Sequence, residues 1–177
     1  MPVSVKGVIE LRKALRAYSP DLAKGLNKEM AAELKPIVRQ ARGFLPSDSQ
    51  ILSNWSGTGS RAQGKFPQYD ATTVRKGVTY SVAPSKRNRR GFRSLATIYN
   101  KSAAGAIYET AGRKNGNSVF VQNLDNKYPA RLEGQDKMRG RVIYRAWQAN
   151  HGKATAAVMK AIERATATFN ARSRINE

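Results

Sequence analysis

The chain has no cysteine, a single histidine, and twelve acidic residues against 32 lysines and arginines. Each shortage excludes a class of chemistry. Without cysteine there is no disulfide framework, no thiolate nucleophile and no cysteine-based metal site. His151, between Asn150 and Gly152, has no second histidine with which to anchor an ordinary zinc centre. Without a positioned partner it makes no general base, and it reads as an exposed helix residue. Glu133 and Asp136 are close in sequence but sit among Arg131, Lys137 and Arg139, where ion pairs account for them. Gly57-Thr58-Gly59-Ser60 lacks the preceding strand and following helix of a phosphate-cradling loop. Neither an enzyme nor a cofactor is expected. No run of 18 apolar residues occurs, so no transmembrane helix and no membrane partner are expected. The opening MPVSVKGVIELRKAL has no continuous apolar stretch, so no secretory leader is expected.

Core-forming residues are also scarce. Leu, Ile, Val and Phe number 34 of 177, close to the level at which a high net charge signals disorder. Alanine, with 24 residues, supplies much of the remaining apolar content and buries little area per residue. The composition predicts one domain over 1–177 with a thin core, completed by partner contacts or by a neutralising polyanion.

What is present is helical periodicity. Val8, Leu11, Leu15 and Tyr18 fall on one helix face. Ser19-Pro20-Asp21 restarts the chain as an N-cap, a first-turn proline and a dipole-complementing acid. Leu22, Leu26, Met30, Leu34, Ile37, Val38, Ala41 and Leu45 continue a second stripe, with a kink predicted at Pro36 and a stop at Pro46. Residues 47–70 read as a long loop or arm. Its Trp55 and Phe66 either tuck onto the domain's own core or serve as subunit interface anchors. Val74, Val78, Tyr80 and Val82 predict a strand with a bend at Gly77, and Leu95 to Tyr99 a central second strand. Ala103 to Thr110 reads as a short helix ending at Gly112. Residues 113–138 read as loop with a strand at Val119 to Val121. From about 141 to 171 the spacing of Ile143, Trp147, Asn150, Ala154, Ala157, Val158, Ala161, Ile162, Ala165 and Phe169 predicts a long helix of roughly 45 Å. The residues thus predict two short strands between long N-terminal and C-terminal helices.

The positive signal for function is charge. The formal net charge is +20, with a dense cluster at residues 85–93: Lys86, Arg87, Arg89, Arg90 and Arg93, read as a basic hairpin tip. Counterion release makes such a patch sufficient for non-specific DNA binding, and an acidic protein surface is the other partner it fits. No recognition helix, zinc finger or base-stacking motif for sequence-specific readout is visible.

Four segments in order resemble the head–tail joining or tail-completion proteins of long-tailed bacteriophages. They are VKGVIELRKALRAYSPDLAKGLNKEMAAELKPIVRQAR, then Pro46 to Trp55 (PSDSQILSNW), then Ala104 to Gly112 (AGAIYETAG), and RGRVIYRAWQANHGKATAAVMKAIERA. They are similar to the family's opening helices, its "Pro-x-x-Thr-Gly-x-Leu" turn, its "Tyr-Ala … Glu-x-Gly" element and the "Arg-Pro-Ala" start of its last helix. Ser49-Gln50 replaces Thr-Gly in the second, so that turn departs from the pattern. The resemblance implies an α+β fold, a small antiparallel sheet against a long kinked N-terminal helix and a long C-terminal helix with an extended loop. It implies a structural virion protein, assembled in the bacterial host cytoplasm, in a homo-oligomeric neck ring such as a hexamer. It implies head-completion, other neck and tail-tube proteins as neighbours, and double-stranded DNA passing non-specifically through the channel. A tail terminator ring protein and a stand-alone basic nucleic-acid-binding protein are the alternatives.

Overall fold

The computed structural model describes residues 7–56, 67–113, 116–130 and 140–175, and over these the chain is α+β. The elements are α1 (Val8–Tyr18), α2 (Pro20–Gly43), α3 (Ala71–Gly77), β1 (Val78–Ser81), β2 (Thr97–Asn100), α4 (Ala103–Thr110), α5 (Val119–Lys127) and α6 (Ile143–Ile175). The two strands form one antiparallel sheet. Two compact units result, and α2, α6 and the sheet contribute to both. The boundary within α2 falls after Pro36, through which the helix continues.

The first unit holds 1–36, 80–97 and 151–177. Its core is helical: Leu11, Ala14 and Leu15 of α1, Leu26 and Met30 of α2, and Ala161, Ile162, Ala165 and Phe169 of α6. The stripes of α1, α2 and α6 are buried over most of their length, but Trp147 of the α6 stripe is exposed. Tyr18, at the end of the α1 stripe, is 69% exposed instead. Buried among these apolar residues, Arg12 donates to Asn27 Oδ1 at 2.7 Å and to the Leu95 carbonyl at 3.4 Å. Burial, and secondarily Arg16, pulls its guanidinium below the ordinary value. At the surface, Arg172 pairs with Asp21 at 2.7 Å and Arg164 with Glu29 at 3.8 Å, tying α6 to α2.

The second unit holds 37–79 and 98–150. Its core joins Ile37, Val38 and Ala41 of α2 to Leu45, Ile51, Trp55, Tyr69, Val74, Tyr108, Leu124, Val142 and Ala146. Three strand expectations are corrected here. Residues 71–77 are helical because Asp70 caps α3, its carboxylate accepting the Thr73 N–H. Residues 119–127 are helical because Ser118 accepts the Val121 N–H at 3.2 Å, which places Val121 and Leu124 on one buried face. The strand at 97–100 is one of a pair and has no central position.

Of the two placements expected for Trp55, the structure shows the one on the domain's own core. Trp55 is 5% exposed, donates its indole N–H to the Pro67 carbonyl at 2.8 Å, and packs against Tyr69 and, edge-on, Phe120 at centroid distances of 5.3 and 5.0 Å. The aromatic cluster that this ring completes withdraws it from use as an interface anchor. Phe66, residues 57–60 and the group 131–139 lie outside the described residues.

Gly105, in α4, lies where a Cβ would overlap the Asn100 amide, which is itself held by Ser102 N at 2.9 Å and the Val74 carbonyl at 3.3 Å. Gly25 and Gly152 are helical with nothing within 4 Å of a Cβ. Gly25→Ala and Gly152→Ala are therefore expected to raise stability by up to about 1 kcal/mol each through helix propensity. Gly105→Ala is expected to lower it by about 1–3 kcal/mol through overpacking. Thermal denaturation of the three variants checks the opposite signs.

Candidate nucleic-acid interface

The basic tip is built by local hydrogen bonds. The Ser85 N–H donates to the Ser94 carbonyl and the Ser94 N–H to Ser85 Oγ, each at 2.9 Å, closing the base. The Asn88 N–H donates to the Phe92 carbonyl at 2.9 Å, and the Gly91 N–H to the Asn88 carbonyl at 2.9 Å. Asn88 Oδ1 then accepts the N–H groups of Arg90 at 3.0 Å and Phe92 at 2.9 Å. The turn requires φ of 81° at residue 91, a left-handed conformation that glycine adopts without strain. The hairpin tip is therefore present, held by a side-chain turn rather than by a strand ladder.

All five cations, Lys86, Arg87, Arg89, Arg90 and Arg93, are exposed on this one turn. Among the described residues none of them forms a salt bridge. The sequence around them has no carboxylate at all between Asp70 and Glu109. Phe92, which sequence reasoning passed over, stands among them at 70% exposure. Its signal was available: an aromatic residue inside a basic run. Trp55 is buried within the second unit.

A second polar cluster was not foreseen. Glu109, at the end of α4, is buried and accepts the backbone N–H groups of Arg141 at 3.1 Å, Val142 at 2.6 Å and Tyr144 at 3.0 Å. These are donors at the start of α6 that have no intrahelical partner. Burial pushes the Glu109 carboxyl above its ordinary value, against the downward pull of these N–H groups and of Arg113. Arg141 is buried beside it. Its guanidinium donates to the carbonyls of Tyr128 at 2.6 Å, Tyr108 at 2.7 Å and Ala111 at 2.9 Å, and pairs with Asp125. Every charge here is engaged by the chain itself, so the cluster is structural. His151 is exposed on α6, and no group of three potential metal ligands occurs among the described residues. No described helix is long and apolar enough to cross a membrane.

No known protein family, curated protein or solved structure matches this chain.

The two clusters predict opposite behaviour. Asn88→Ala removes the acceptor of the Arg90 and Phe92 N–H groups, so hydrogen exchange at those amides is expected to accelerate while stability stays within about 0.5 kcal/mol. Glu109→Gln sets an amide donor against the α6 N–H groups and is expected to lower global stability by about 1–3 kcal/mol. Exchange rates by NMR and chemical denaturation distinguish the local from the global effect.

Proposed function

We propose that the chain is a structural subunit of the neck of a tailed bacteriophage, a member of the ring that joins the DNA-filled head to the tail. The observation that carries this reading is the exposed tip: five cations on one closed turn, in a stretch without carboxylates. A channel wall that passes double-stranded DNA is served by such a surface, because counterion release is sequence-independent and multiplies around a ring. The four segments that resemble the tail-completion family support the same reading. Two of them meet in the structure, since Glu109 belongs to the third and Arg141 to the fourth. The ring partners, the neighbouring neck proteins and the virion location all follow from this reading. A stand-alone nucleic-acid-binding protein is the second reading, favoured by a tip that is closed by its own hydrogen bonds within one chain.

Immunogold labelling of tailed virions with antibody against the chain tests the proposal. Gold at the head–tail junction is expected. Gold elsewhere on the particle, or unlabelled intact virions, overturns it.

A further inference from the structure

We infer that Phe92 is an apolar wedge for duplex DNA, entering the minor groove between base pairs while the surrounding cations hold the phosphates. This rests on the proposed reading of the tip as a DNA contact and names how that contact is made.

Phe92 is 70% exposed in a chain with five phenylalanines, so one of its few large apolar side chains is left in water. Its main chain is fixed on both sides: its N–H donates to Asn88 Oδ1 and its carbonyl accepts the Asn88 N–H, both at 2.9 Å. The ring is thus presented from a set position rather than from a free strand. Arg89, Arg90 and Arg93 lie within three residues of it, all exposed. The partner that fits is polyanionic outside and apolar inside. Duplex DNA has that layering, with phosphates flanking stacked bases. Proteins that enter the minor groove use this pairing of arginine with an inserted apolar side chain, kinking the duplex.

The test uses the full chain and a short duplex labelled at both ends for energy transfer, with affinity measured across a salt series. The wild type is expected to bind and bend the duplex, with a log–log salt slope of about −4 to −5 for five phosphate contacts. Phe92→Ala is expected to weaken binding about tenfold and abolish bending with the slope unchanged. Phe92→Leu, which keeps an apolar wedge, retains the bend. Serine at 86, 87, 89, 90 and 93 flattens the slope. If the wild type binds steeply but Phe92→Ala binds and bends as well as it does, the wedge is overturned and the DNA contact stands. If the wild type does not bind the duplex at low salt, or binds polyglutamate as tightly with the same dependence on Phe92, the DNA reading of the tip falls with it.

Discussion

The carboxylate of Glu109 fixes the start of α6, and the second unit is arranged around that contact. A helix of 33 residues begins with N–H groups that have no partner of their own and with the positive end of its dipole. Glu109 takes three of those N–H groups inside the protein. The return half of the exchange is made by Arg141, whose guanidinium donates to the carbonyls of Tyr108 and Ala111 on either side of Glu109. Segments 108–111 and 141–144 therefore satisfy one another, each charged side chain against the other segment's main chain. Asp125 and the Tyr128 carbonyl bring α5 and its C-terminal end into the same node. A buried ionic group is tolerable when every donor and acceptor is met, and removing one member leaves the others stranded.

This node changes the meaning of the +20 charge. Among the described residues, four arginines are spent on main-chain carbonyls: Arg12 on Leu95, Arg42 on Val78 at 2.8 and 3.1 Å, Arg75 on Leu45 at 2.9 Å, and Arg141 on three. Where aliphatic residues are few, planar guanidinium groups finish loop and helix ends that would otherwise be left with bare carbonyls. Part of the basic excess is thus an internal structural material. The part at 86–93 is different in kind, because its cations face water and, among the described residues, form no salt bridge.

How much was legible follows the same division. The stripes of α1, α2 and α6 could be read because each repeats over three or more turns, long enough for a 3.6-residue period to be distinguished. Val74–Val78 and Val119–Val121 could not, since β-branched residues in windows this short suit either strand or helix. What decided them was capping by Asp70 and Ser118, a signal present in the sequence but weaker than valine content. The basic tip was visible as a run, and its Asx-type closure was implicit in Asn88 and Gly91. The Glu109–Arg141 node was not legible, because its members are far apart in sequence and nothing local marks a glutamate that will cap a distant helix. Trp55 was ambiguous for a related reason: its burial depends on Tyr69 and Phe120, which the chain brings to it from either side of a long interval.

The turn of the tip is shaped by Ser85, Asn88, Gly91 and Ser94, while Val82, Leu95 and Ala96 at its base pack against the core of the first unit. Its cations repel one another, and no carboxylate in its own sequence neighbourhood offsets them. Salt screens that repulsion over about 8–10 Å, enough to let the turn persist but not to neutralise it. Any polyanion that reaches the tip relieves the strain and gains counterion entropy as well, so affinity there comes partly from a repulsion built into the free chain. A surface of this kind is favoured where the partner is always present and always anionic, and where what matters is grip along its length rather than recognition of one site.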